Sequence, residues 1–411
     1  MPTFTADELA KLWTVWEEPD RSAAEAASPD ERRRLVFERY GLIERGNAAP
    51  DESTLPLGYA SEDGETFVPN CLACHGGRVA GTVVPGLANN EQDLGGLVGD
   101  LLKLRSGGAG PEAGILALFP LNFTRGSTNA TMYSILLGSL RDENLDQVFP
   151  PKISQPYVHN TIDAPAWWLY SKKDRIYWDG MAPKTTRTLM QFTMAPGLSG
   201  EKIRSWEDEF EVIHDYIAGL EAPRYPFAID EDLAKRGRQA FESTCSECHG
   251  TYGDEPTYPN RTVPLALLGT DPVRLDAIRP ESKAKYNKSW FANYGDHPVI
   301  VDVRGYVAPP LDGVWATAPY LHNGSVPTLW HLLFPEERPD LWRHRGTADY
   351  DEQRGGLFVD TFDEVPAGLT EREQRFIYDT SKVSQSNAGH RFPERLTPEE
   401  RRAVLEYLKT L

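Results

Sequence analysis

The chain has four cysteines in 411 residues, and all four stand in one repeated local pattern. The stretch NCLACHGG holds Cys71, Cys74 and His75, and STCSECHGT holds Cys245, Cys248 and His249. Thiols at i and i+3 share one helical turn, so each pair can add to the two vinyl groups of a single haem while the next histidine meets the iron. Zinc would require the pairs to converge with further ligands, yet each pair carries its own histidine and the two lie far apart in sequence. A redox dithiol has no use for that histidine. The pattern predicts two covalently bound haem c groups, with His75 and His249 as the proximal iron ligands and no disulfide.

What covers the far face of each iron decides the chemistry. A second strong ligand makes an electron-transfer haem, whereas an open position admits dioxygen or peroxide. His390 lies in a loop just before the last helix, where its side chain can reach across a haem face, so it is the candidate distal ligand at the second site. The competing reading is an exposed loop histidine. For the first site, YWDGMAPKTTRTLMQFTMAPG offers Trp178, Phe192, Met181, Met190 and Met194. A methionine on the iron would favour electron transfer, and core packing accounts for any of these side chains equally well.

The elements that must position these residues are mostly helical. Trp206, Phe210, Ile213, Ile217 and Leu220 recur at helical spacing, and EAPRYPF then stops the helix with two prolines. Leu233, Gly237 and Phe241 predict a helix running into Cys245. Near the end, Thr397, Pro398 and Glu400 form a capping box ahead of Val404, Leu408 and Leu411. Each cysteine pair is thus followed at long range by a similar closing helix. The approach to Cys71, LGYASEDGETFVPN, has no helical spacing. Few segments alternate with period two, and 32 prolines with 34 glycines indicate long loops. The expected fold is mostly α, with two cytochrome c-like haem domains, residues 1–225 and 226–411, long connecting loops and little β structure.

Composition narrows the partners. A net charge of −18 disfavours nucleic acid and anionic membrane surfaces and permits docking to a basic redox protein. No apolar run approaches the length of a membrane span. The opening MPTFTADELAKLW lacks a basic segment followed by an apolar one. Because haem is attached to this motif outside the cytoplasm, we expect an export leader upstream, Met1 as an added residue, and a periplasmic or secreted location.

YVAPPLDGVWATAPYLHNGSVPTLWHLL, Tyr306 to Leu333, resembles the signature of the diheme cytochrome c peroxidase and MauG superfamily. Its Pro319-Tyr320-Leu321-His322-Asn323-Gly324 run is most similar to the rubber oxygenase (RoxA-type) branch. SNAGHRFPERLTPEERRAVLEYLKTL resembles the closing segment of that branch, and DAPAWWLYSKKDRIYWDG is a third similarity. The resemblance implies that His390 is a distal histidine and that Phe192 and Trp178 line the pocket of the first haem without binding iron. It sets His322, with Tyr320, near the haems as a candidate catalytic residue that orients a propionate or tunes the electron path. The alternative for His322 is a hydrogen bond to a buried loop. It also implies a calcium ion on the carbonyls of Thr317 and Pro319 with Asn89 or Asn90. No counterpart of the peroxidases' glutamate over the peroxide site is evident. The expected protein is a diheme oxidoreductase that uses dioxygen or peroxide on a small organic, apolar or aromatic substrate at the first haem, while the second stores or relays electrons. The alternatives are a peroxide-reducing cytochrome c peroxidase, a diheme electron-transfer cytochrome without substrate, and a MauG-like enzyme acting on a partner protein.

Overall fold

The helix expected ahead of the second cysteine pair spans Glu231–Thr244 in the computed structural model, which describes residues 3–46, 55–106, 124–195, 197–292 and 299–411. Asp230 caps it by accepting from the Leu233 amide at 2.9 Å. Its buried stripe of Ala234, Gly237, Ala240 and Phe241 crosses the closing helix Pro398–Leu408. The crossing is close: a side chain added at Gly237 would stand 1.9 Å from the Ala403 carbonyl oxygen. Only glycine allows that approach. Phe241 and Tyr407 meet beside it with ring centres 5.3 Å apart. The capping box at Thr397 is formed, with Thr397 Oγ1 accepting from Glu400 N and Glu400 Oε2 accepting from Thr397 N.

Helix is the main regular structure, and the sheets have only two or three short strands. The fold is therefore mostly α, as the spacing predicts. The Trp206 periodicity appears as the helix Glu207–Ala218, with Phe210 and Trp206 against one apolar cluster and Ile213 and Ile217 against another. No helix among the described residues is long and apolar enough to cross a membrane. Met1 lies outside the described residues.

Two compact units divide the chain. The first comprises Met1–Thr128, Leu341–Tyr350 and Leu357–Asp379, and the second Asn129–Asp340, Asp351–Gly356 and Thr380–Leu411. Each contains one cysteine pair. The proline-rich stretch near residue 225 runs inside the second unit, where Pro223 accepts a hydrogen bond from Trp315 Nε1 at 3.0 Å. Prolines end a helix there without separating two cores, so the units part at residues 128 and 129.

The first unit is built on Phe4, Leu12, Trp16, Phe37, Tyr40, Tyr59, Phe67, Leu97 and Leu101. Trp16 donates to the Tyr40 hydroxyl, which donates in turn to Asp100, each at 2.8 Å. Phe4–Thr5 and Tyr59–Ala60 flank Thr66–Pro69 in an antiparallel sheet with Phe4 opposite Phe67. The chain reaches Cys71 from this sheet, which is why no helical spacing precedes the first pair. A second small sheet in this unit comes from late in the sequence, with Leu341–His344 between Val359–Phe362 and Tyr378–Asp379.

Candidate haem sites

At the second site the chain leaves the long helix at Cys245 and makes one further turn, Ser246–His249. Cys248 N and His249 N both donate to the Cys245 carbonyl, at 3.1 and 3.0 Å, which fixes the two sulfurs and the imidazole on one turn. His249 Nδ1 bonds the Pro309 carbonyl at 2.9 Å. That bond sets the tautomer and leaves Nε2 as the nitrogen that would face an iron. Tyr252 OH donates to the His249 carbonyl at 2.9 Å and accepts from Leu311 N at 2.7 Å, tying the turn to the same segment. Burial holds the His249 imidazole below its usual pKa, so the ring is a neutral donor.

Facing this turn, the ring centre of His390 lies 6.2 Å from that of His249 with the planes inclined by 64°. Imidazoles on opposite faces of one iron, each with a metal–nitrogen bond of roughly 2.0 Å and its ring centre roughly 1.1 Å beyond, stand about 6.2 Å apart. Edge-on ring packing covers the same range. Two further features favour a shared iron: His249 is already oriented by Pro309, and His390 is held in an unusual backbone. Its φ is +48°, the left-handed conformation that few residues other than glycine adopt. Its amide donates to Leu268 O at 2.9 Å. Gly389 before it, at φ +85°, sits so close to residues 268–270 that a Cβ would come within 2.5 Å of the Thr270 nitrogen. The His390 side chain is half-buried with its Nδ1 buried, and its pKa is pushed down to about 3 by desolvation, then by His249 and Arg338. It is not the exposed loop histidine of the competing reading.

The thiols agree with thioether attachment. Burial pushes Cys245 up to about 11 and raises Cys74 as well. Sites that disfavour thiolate suit a neutral thioether and oppose a zinc thiolate or reactive dithiol. All four cysteines are unbridged.

The first site repeats the turn at Leu72–His75, with His75 N donating to Cys71 O at 3.1 Å. Asn70 Oδ1 accepts from Leu72 N at 2.8 Å and starts it. The following loop closes on it: Gly86 N donates to His75 O at 2.6 Å and Asn89 N to Cys74 O at 2.9 Å. The Asn89 amide also donates to Gly41 O and Ala73 O, so its side chain is already engaged in scaffolding. Of the chain's nine histidines, this unit contains His75 and one other, His344, on the strand Leu341–His344. His344 is buried and its pKa is pushed down to about 3, by burial first and Arg125 second, while the backbone of Gly346 and Asn90 pulls the other way. The ring thus lies one residue from the asparagine that binds Cys74 O. Sequence reading passed it over because nothing local to WRH marks a ligand.

The remaining candidates all fall in the second unit. Trp178 is half-buried and donates from Nε1 to Asp163 O at 2.8 Å, with Lys173 over its ring. Phe192 is 40% exposed. Met190 and Met194 are buried in an apolar cluster with Leu137, Leu145, Ile203 and Phe291, and Met181 packs against another. His322 is buried, stacks on Tyr306 at 4.3 Å and bonds its hydroxyl through Nε2 at 3.1 Å. The Tyr306 hydroxyl donates to Asp271 O, so His322 donates to it. Desolvation, then Arg274, pushes the His322 pKa down to about 3. The partner of His322 is thus the side chain of Tyr306, on the strand Gly305–Val307. Tyr320 is buried and donates to Val314 O at 3.0 Å.

A family model described as RoxA-like, cytochrome c-like matches residues 305–343, the segment that carries Pro309, Tyr320, His322 and Arg338. This chain is 28% identical over 264 residues to the uncharacterized protein y4iM of Sinorhizobium fredii, covering 57% of this chain and 58% of that one. It is 31% identical over 263 residues to the uncharacterized protein y4iJ of the same organism, covering 47% and 42%. The chain spans about half the length of these curated relatives. The RoxA-like cytochrome c-like segment indicates a cytochrome-type redox function that uses haem c.

Proposed function

We propose that the protein is an extracytoplasmic diheme c-type oxidoreductase of the RoxA-like branch of the diheme peroxidase and MauG superfamily. It oxidises an organic, apolar or aromatic substrate with dioxygen or peroxide. Bound at the two cysteine pairs, haem supplies one-electron exchange and, where an iron position is free, a place for the oxidant. The observation that carries this reading is the His249–His390 pair. With a histidine on each side, the second site is assigned to storing or relaying electrons. Oxidant binding then falls to the site of Cys71, Cys74 and His75. For Phe192 and Trp178, which lie in the second unit, a role as apolar wall for a substrate rests on the resemblance alone. Calcium on Thr317 and Pro319 remains part of this proposal.

A second reading has its own support. His344 is a buried neutral imidazole in the unit that holds His75. As a sixth ligand to the first haem it would make the protein a diheme electron-transfer cytochrome.

The test is turnover of alkene and phenol panels with dioxygen or peroxide supplied alone. We expect product with dioxygen. Product with peroxide alone would replace the oxygenase reading by a peroxidase, and no product with either, together with two six-coordinate irons, would leave the electron-transfer cytochrome.

A further inference from the structure

A single arginine ties the backbone just before His390 to the end of the helix Leu329–Leu333. Arg338 Nη1 donates to Asn387 O at 2.6 Å and to Gly389 O at 2.8 Å, Nε donates to His331 O at 3.0 Å, and Nη2 makes a longer contact of 3.5 Å to Leu332 O. The planar guanidinium, with five donors in a fixed fork, can hold a helix end and a loop together in this way; an ammonium cannot. A cavity of about 670 Å³, lined by Leu267, Leu268, Asn387, Gly389 and Phe392, opens beside the loop.

We infer that Arg338 is a positioning residue for the second haem: it holds His390 in ligating position and places a fixed positive charge beside the iron. This rests on the proposed ligation by His390. The guanidinium sits on the carbonyl of Gly389, the residue before His390, so its charge lies close to that side chain. A nearby cation favours the reduced iron, which has one positive charge fewer, so Arg338 raises the reduction potential of this haem. Losing the fork leaves the carbonyls of Asn387 and Gly389 without this donor, and with it a constraint on the placing of His390 is lost.

The experiment uses the full chain with both haems and compares wild type, Arg338→Gln, Arg338→Lys and His390→Ala. The readouts are the midpoint potential of the low-spin haem, its EPR signal, and carbon monoxide binding to the ferrous protein. Arg338→Gln is expected to lower the potential and to open a carbon monoxide-binding fraction at the second haem. Arg338→Lys keeps the charge without the fork, so its potential should stay nearer wild type while carbon monoxide binding persists. A purely structural role would lower stability and leave potential and ligation unchanged. If Arg338→Gln does not fold, Arg338→Lys decides alone: a second haem as closed to carbon monoxide as wild type overturns the inference. His390→Ala separates the two levels, because an unchanged low-spin signal there removes the ligation itself. A changed signal there with wild-type Arg338 variants removes only the role of Arg338.

Discussion

The imidazole of His249 faces that of His390 across 6.2 Å, and only the first has its second nitrogen tied to a backbone carbonyl, that of Pro309. The pair is asymmetric. His249 comes from a rigid helical turn beside its cysteines, whereas His390 comes from a loop whose φ of +48° must be imposed by Leu268, Gly389 and Arg338. Of the two proposed ligands, His390 is the one whose placing depends on distant segments.

Haem content follows from the cysteines. A pyridine haemochrome assay should return two haems per chain, with neither extracted by acid-acetone. Cys245→Ala with Cys248→Ala should halve the count. One haem per chain in the wild type would remove one of the two sites.

The crossing at Gly237 should be intolerant of a side chain. Alanine is favoured over glycine in a helix by about 1 kcal/mol, so an open site would be stabilised by Gly237→Ala. With Ala403 O at 1.9 Å from the added Cβ, we expect overpacking to win and stability to fall by about 1–3 kcal/mol. Urea unfolding followed by Soret absorbance measures it, and an unchanged or higher midpoint would show that the helices do not meet so closely.

Much of this frame is legible in the sequence because it is local. The C-x-x-C-H turns, the Thr397 capping box and the amphipathic stripes of Glu207–Ala218 and Glu231–Thr244 each depend on residues within a few turns of one another. What escaped sequence reading depends on distant segments. Leu341–Tyr350 and Leu357–Asp379 belong with the N-terminal unit, and no spacing announces that. The Pro309 carbonyl, the Arg338 fork and buried His344 act through backbone or burial, which residue type does not encode. The prolines near 225 read as a domain break because they end a helix, but ending a helix does not end a core.

His344 decides the character of the first haem. If it ligates that iron, His344→Ala should add a high-spin EPR signal and a carbon monoxide-binding haem absent from the wild type. Under the oxygenase reading, the wild type already binds carbon monoxide at one haem, and His344→Ala leaves the number of ligand-binding haems unchanged.

Asp163 should make stability fall as pH rises above the ordinary carboxylate range. Its carboxyl is buried and desolvation raises its pKa well above the ordinary carboxylate value, while a hydrogen bond from the Ala164 amide opposes this. A carboxyl raised on folding contributes stability below its unfolded pKa and loses it as pH rises through the folded value. Asp163→Asn should therefore be more stable than wild type at pH 9, by on the order of 1–2 kcal/mol, with the advantage shrinking toward pH 4. Thermal unfolding across this range checks it, and a pH-independent difference would place Asp163 outside any titration.

The central claim is that the two irons differ, one held between His249 and His390 and the other able to take an oxidant. The EPR spectrum of the oxidised protein, recorded beside that of His390→Ala, tests it most directly. The account predicts one low-spin and one high-spin haem in the wild type, and loss of the low-spin signal in the variant with the other haem unchanged. Two low-spin haems in the wild type, or a low-spin signal that survives His390→Ala, would contradict it.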